Sequence, residues 1–241
     1  MEAVKTVIYA GLIALLVRSF LFEPFNIPSG SMIPTLQVGD FVFVSKFSYG
    51  YSRFSLPFSP DLFSGRIFAS LPHRGDVAVF KLPTDTSIDY IKRIIGLPGD
   101  HIQMKDGQLY LNGVAVPRTK VGPYMATGDG PPTLYQRYIE TLPPSDHGKP
   151  VRHSILKASD LGPLDNTQEY IVPPGCVFGM GDNRDNSEDS RVLDHVGYIP
   201  LANLVGHAEL IFFSIDAEHP WWEFWYWPFE IRWNRLLMRV H

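Results

Sequence analysis

The chain has 241 residues, a formal net charge of −4 and a single cysteine, Cys176. A mildly acidic balance excludes the basic footprint of a nucleic-acid-binding protein, and a lone cysteine excludes an internal disulfide framework or a cysteine-based zinc cluster. The length suits one substantial domain with an insertion, or two small ones.

Residues 4–25 are apolar apart from Lys5, Thr6, Arg18, Ser19 and Glu23. The uninterrupted part, residues 7–17, is short for a span. With Ser19-Phe20-Leu21-Phe22 added it approaches the roughly 20 residues that a spanning helix needs. Arg18 then snorkels towards an interface. A cleaved signal peptide has an apolar region of similar length, but no A-x-A site follows and the chain runs into Glu23-Pro24-Phe25. The stretch reads as an uncleaved anchor, residues 1–25. Lys5 and Arg18 flank it on opposite sides, so charge alone leaves its orientation open.

Phe41-Val42-Phe43-Val44 has the β-branched and aromatic content of a strand. Residues 45–71 lack a period and read as a long loop, with Val77-Ala78-Val79-Phe80 as the next buried strand. Residues 89–95 form a third, in which alternation puts Tyr90, Lys92 and Ile94 on one face and Ile91, Arg93 and Ile95 on the other. Lys92 and Arg93 therefore point into different spaces. Gly96-Leu97-Pro98-Gly99 predicts a type II turn. Asp106-Gly107 and Asn112-Gly113, each between apolar runs, predict two tight hairpins and hence a β-meander.

From residue 117 to 164 Pro, Gly, Tyr and charged residues dominate without a clear period. This predicts an inserted, partly irregular subdomain. Strands resume at Glu169-Tyr170-Ile171-Val172 and Val177-Phe178-Gly179-Met180, a dense polar loop follows, and residues 205–214 form a last strand. The fold class is mostly β. A β-rich core is expected over 26–116 and 165–215, with a tail over 216–241. All five tryptophans lie in that tail, at 221, 222, 225, 227 and 233. At helical spacing Arg232, Arg235 and Arg239 share one face, and Trp233, Leu236, Leu237 and Val240 another. That pattern predicts a short helix lying on an anionic membrane; the alternative is a tail packed on the sheet as ordinary core.

Two residues stand out chemically. Ser31 sits in Pro28-Ser29-Gly30-Ser31-Met32, and Lys92 is a lysine on a largely apolar strand. A serine hydroxyl needs a base to become a nucleophile, and lysine serves as one only if burial keeps it neutral. The bland alternatives are a turn serine and an edge lysine that deters aggregation. Arg93 is no candidate base, because arginine keeps its proton. The loop over 181–191 reads as a solvated acidic turn, a calcium loop, or a rigid turn that orients Lys92. The calcium pattern fails because Arg184 occupies a ligand position. Ser154-Ile155-Leu156-Lys157 matches S-x-x-K, but its companion motifs are absent. None of the eight histidines lies in a recognisable catalytic motif.

Four stretches, taken in order, resemble the bacterial type I signal peptidases (leader peptidases), membrane-bound Ser/Lys proteases. They are Pro28 to Leu36, Gly75 to Phe80, Asp89 to Asp100, and Gly181 to Arg191. The resemblance implies a signal-peptidase-like antiparallel β-barrel or sheet with one N-terminal transmembrane helix. It implies Ser31 as nucleophile, Lys92 as general base, and the Ser31 N–H and Ser29 hydroxyl as oxyanion hole. Ser187 would orient Lys92, and Asp189 and Arg191 would brace the loop as an ion pair. It implies cleavage of preproteins after Ala-x-Ala, with no metal and no cofactor. It also implies an inner-membrane location with the catalytic domain on the extracytoplasmic side. The partners would be preproteins, the lipid bilayer and the export translocon, with no nucleic acid. Residues 192–197 are longer than the aromatic-Gly continuation of some members. A narrow-specificity Ser/Lys peptidase of a secretion or conjugation system, and a catalytically silent membrane-anchored β-scaffold, are the rival readings.

Overall fold

The computed structural model describes residues 2–61, 63–127, 130–145, 149–216, 222–223 and 225–241. The first element is an apolar helix, Glu2–Phe20 (α1), about 28 Å long at 1.5 Å per residue. Ser19 is its one buried residue. Its apolar side chains are largely exposed, with Phe20 of the last turn packed edge-on against Tyr51, and its length and composition suit a bilayer crossing. The helix stops at Phe20, short of the expected boundary at 25. Phe22–Asn26 instead forms the first strand (β1).

The remaining strands are Asp40–Ser45 (β2), Val77–Lys81 (β3), Asp89–Gly96 (β4), His101–Lys105 (β5), Gln108–Leu111 (β6), Val114–Ala115 (β7), Arg118–Ala126 (β8), Thr133–Leu142 (β9), Val151–Lys157 (β10), Tyr170–Ile171 (β11), Cys176–Met180 (β12), Ile199–Pro200 (β13), Leu204–Ser214 (β14) and Met238–Arg239 (β15). The main sheet is a curled antiparallel half-barrel in the order β1-β2-β14-β3-β4-β12-β13, with β15 added on β14. Register shifts punctuate β14 against β2 and β3, and such bulges bend a strand and increase its twist.

Alternation along the central strands divides the core. Val42, Val44, Val77, Val79 and Ile211 pack with Ile27, Met32 and Leu36 on one side. Ala78, Phe80 and Ile94 pack with Val177, Ile199 and Leu204 on another. The meander forms as expected, a four-stranded sheet in the order β11-β5-β6-β7. Its turn residues Asp106, Gly107, Asn112 and Gly113 all have φ between 46° and 77°, as type I′ hairpins require. The proline turn falls one residue later than read, over 97–100. The Asp100 N–H donates to the Leu97 carbonyl at 3.0 Å, and Gly99 takes the positive φ.

One expectation gains detail and another needs correction. The stretch read as partly irregular contains a regular three-stranded sheet, β10-β9-β8. Long strands with mixed polar faces had hidden its period. The tail is not an amphipathic helix over 232–240. Residues 233–235 make a single 3-10 turn, Leu237 has φ 61°, and β15 pairs with Leu210 and Ile211. The cause is a buried anchor: Arg235 donates from Nε to Asp40 Oδ1 at 2.9 Å and from Nη2 to Oδ2 at 2.5 Å. Val240 enters the core alongside. Both contacts tie the chain to the sheet in an extended form. Trp222, Trp225, Phe229 and Trp233 stay exposed, while Trp221 lies outside the described residues.

Candidate active site

After β1 the chain runs extended through Ser29 (φ −130°, ψ 156°) and enters a single 3-10 turn, Gly30–Met32. Met32 is fully buried in the core and pins the turn from below. Asn183 holds it from the side, its N–H donating to the Ser31 carbonyl at 3.0 Å and its Nδ2 to the Gly30 carbonyl at 3.2 Å. Ser31 is thereby fixed with its hydroxyl turned towards β4. The Ser31 N–H has no main-chain acceptor among the described residues, and the Ser29 side chain makes no capping bond.

Lys92 lies in the middle of β4, opposite Ala78 of β3, and is 3% exposed. Its Nζ donates to Ser31 Oγ at 2.8 Å, and the Tyr90 ring centroid stands 5.2 Å away. Burial pulls its pKa from 10.5 down to about 8. Asp189, Glu188 and Asp182 oppose that shift, and Arg191 reinforces it. An amine in this position is a usable base near neutral pH.

The polar loop closes over the pair. Gly181 allows the approach, because a Cβ there would stand 2.6 Å from the Ser31 carbonyl oxygen and 2.1 Å from Ser187 Oγ. Asp189 and Arg191 form a fully buried bidentate pair, Nε to Oδ1 at 2.8 Å and Nη2 to Oδ2 at 2.9 Å. Asp189 Oδ2 also accepts the Gly181 N–H at 3.0 Å. Burial pushes the Asp189 carboxyl up, but Arg191 and the N–H donor outweigh it and leave the pKa below its ordinary value. The expected hydrogen bond from Lys92 to Ser187 is not formed. Ser187 Oγ is buried without a partner, and the Lys92 hydrogen bond runs to Ser31 instead.

Sequence reasoning missed a second buried charge cluster behind the pair. Arg93, on the opposite face of β4 from Lys92, donates to both carboxylate oxygens of Asp182 at 2.8 and 2.7 Å, and Thr35 Oγ1 bonds the same carboxylate. Arg184 reaches Glu140 on β9 with two hydrogen bonds, one of 3.0 Å. Burial works against the Glu140 anion, yet Arg184 and His153 hold its pKa at about 2. His153 Nε2 stands 3.4 Å from Glu140 and 3.9 Å from Asp182, and burial and Arg93 lower its pKa. Burial along β9 does not alternate cleanly, so its period gave no signal for Glu140.

The decoys have structural explanations. Lys157 is buried in ion pairs with Asp165 and Asp185, so it is not the partner of Ser154. No histidine hydrogen-bonds Ser31 among the described residues. No cluster of three metal-ligating side chains is found among them either.

A family model described as signal peptidase, peptidase S26, matches residues 1–213. The signal peptidase I of Rickettsia conorii (strain ATCC VR-613 / Malish 7) is 44% identical over 218 residues, 88% of this chain and 78% of the relative. That of Rickettsia canadensis (strain McKiel) is 42% identical over 226 residues, 91% of this chain and 81% of the relative. A solved signal peptidase I from Enterococcus faecalis V583 aligns at 24% identity with a TM-score of 0.32, covering 57% of this chain and 97% of that one, a superposition too loose to argue from. On the family match and the rickettsial identities, the chain belongs to the signal peptidase family, peptidase S26.

Proposed function

We propose that Ser31 is the nucleophile and neutral Lys92 the general base with which this membrane-anchored serine endopeptidase removes signal peptides from preproteins. The observation that carries this reading is the 2.8 Å contact between Lys92 Nζ and Ser31 Oγ inside a buried environment. Lys92 takes the hydroxyl proton as Oγ attacks the carbonyl carbon after a small-x-small (Ala-x-Ala) site. The oxyanion is met by the Ser31 N–H and the Ser29 hydroxyl, both uncommitted to local caps. The ammonium then protonates the leaving amine. Lys92 next deprotonates the water that releases the acyl group. Ser187 Oγ, buried and unpartnered, is the acceptor for Lys92 once Ser31 Oγ is acylated. Asp189 and Arg191 hold the loop in place.

In this reading the anchor is a single span with its N-terminus in the cytoplasm. The catalytic domain faces the extracytoplasmic side of the inner membrane, and the export translocon delivers substrate. The β10-β9-β8 sheet, separate from the half-barrel, supports an inserted unit over 117–164 between core segments 26–116 and 165–215, with the tail at 216–241.

The test is cleavage of an Ala-x-Ala preprotein by detergent-purified enzyme, beside Ser31→Ala and Lys92→Ala. Cutting after the second alanine by the wild type alone supports the dyad. Cutting by folded Lys92→Ala moves the base elsewhere.

A further inference from the structure

Beyond the site of peptide cleavage, the molecule carries a cationic cleft that the mechanism does not use. It holds about 520 Å³ between the three-stranded sheet and the C-terminal strand. Arg137, Arg152, Arg235 and Arg239 line it together with His153 and His241, and no carboxylate side chain does so among the described residues. Arg235 is neutralised by Asp40. The side chains of Arg137, Arg152 and Arg239 make no hydrogen bond or ion pair among the described residues. On β9 and β10 the pair Ile139 and Ser154 sets the register, so alternation puts Arg137 and Arg152 on one face of the sheet. Three unpaired guanidinium groups in one concavity are unexpected on a chain whose net charge is −4. Guanidinium is the group best matched to phosphate oxygens.

The cleft's position narrows the choice of anion. Arg239 and His241 also line a neighbouring groove of about 750 Å³. Phe22, Phe43, Phe47, Leu210 and Val240 supply its apolar surface. Phe22 follows α1 directly, so the groove opens at the foot of the anchor helix. Apolar groove and arginine cleft thus adjoin, with Arg239 at the seam. A phospholipid has the same two-part chemistry, with hydrocarbon chains joined to a phosphate. Met238, which lines the cleft, and its chain neighbour Leu237 are exposed and extend the apolar rim.

We propose that this cleft binds the phosphate of an anionic phospholipid whose acyl chains lie along the Phe22–Phe43–Phe47 groove. The proposal rests on α1 lying in the bilayer, as the proposed function requires. The bound lipid would tether the catalytic domain, through β15 and the three-stranded sheet, to the membrane surface that α1 enters.

The test uses the full chain in nonionic detergent micelles, with native mass spectrometry counting retained lipids as phosphatidylglycerol or phosphatidylcholine is added. The wild type is expected to retain phosphatidylglycerol in preference to phosphatidylcholine. Each arginine near an anionic lipid surface contributes about fivefold in affinity. R137Q/R152Q/R239Q should therefore weaken phosphatidylglycerol binding roughly a hundredfold, and the lysine triple variant should retain more of it. If the triple variant misfolds, R152Q alone, at an exposed position, is expected to lose about fivefold. Equal retention of the two lipids, or undiminished binding by the glutamine variants, overturns the proposal. So does full competition by free glycerol phosphate, which would mark a plain anion site, or displacement by an acidic peptide, which would mark a protein-binding site. Two further measurements keep the readings apart. Insertion into pure phosphatidylcholine liposomes tests the anchor. S31A is expected to lose preprotein cleavage while keeping phosphatidylglycerol, so failure of the peptidase reading and failure of the lipid site give different results.

Discussion

Lys92→Met should abolish cleavage and, at the same time, stabilise the fold. Lys92 is 3% exposed, and burial lowers its pKa from 10.5 to about 8. At neutral pH the unfolded chain keeps this ammonium in water, whereas the native chain must hold it in the interior or give up the proton. The two values differ by about 2.5 pH units, which at about 1.4 kcal/mol per unit costs the native state about 3 kcal/mol. The folded value lies below the unfolded one, so between pH 8 and 10.5 the unfolded chain binds more protons and stability rises with pH. The cost is fully present below about pH 8 and gone above 10.5. Methionine fills a similar volume without the charge. At pH 7 the variant should therefore exceed the wild type by about 3 kcal/mol, and this advantage should shrink as pH rises through that window. Denaturant unfolding of both proteins in the same detergent, at pH 7 and above pH 10.5, measures the difference. Equal stability at pH 7, or an advantage that does not shrink with pH, would refute the desolvation argument and with it the reason that Lys92 gives up its proton more readily than a free lysine.

The same lowered pKa sets the rate profile. kcat/KM should fall about tenfold per pH unit below about pH 8 as Lys92 takes up a proton, and a flat profile down to acid pH would exclude Lys92 as base. Asp189→Asn leaves the Arg191 guanidinium buried without its carboxylate and should cost about 3–5 kcal/mol, read as a drop in Tm. Arg235→Ala strands Asp40, which is 0% exposed, and should cost a similar 3–5 kcal/mol or so; an unchanged Tm would show that the tail is not tied to the core. Ser187→Ala should lower kcat with little change in KM, since the hydroxyl is free in the resting site; an unchanged kcat would remove Ser187 from the mechanism.

Where a local rule governs a residue, the sequence was a sufficient guide. The period of two on β4 separates Lys92 from Arg93, and the structure directs one to Ser31 and the other to Asp182. Asp-Gly and Asn-Gly demand positive φ, and both hairpins form there. The run of apolar residues at the start forms a helix whose apolar side chains stay largely exposed. The loop over 181–191 was less legible. Its polarity suited a solvated turn as well as the buried brace it proves to be. Only the pairing of Asp189 with Arg191, and of Asp182 with Arg93, distinguishes the two.

The tail and the insertion lay further from reach. Arg232, Arg235 and Arg239 have helical spacing, yet spacing records only which residues would share a face if a helix formed. Asp40, 195 residues away in sequence from Arg235, decides that it does not, because a buried carboxylate needs a partner more than a short tail needs helical hydrogen bonds. Glu140, His153 and Arg184 are likewise unremarkable apart and become a cluster only when β9, β10 and the polar loop meet. The sequence by itself pointed to the apolar N-terminal helix, most of the core strands and the serine–lysine candidates, since each rests on composition or spacing within a few residues. Only the tertiary structure decided which charges are buried and with whom, because desolvation and ion pairing depend on groups far apart in the chain, and those contacts exist only once the sheets have packed.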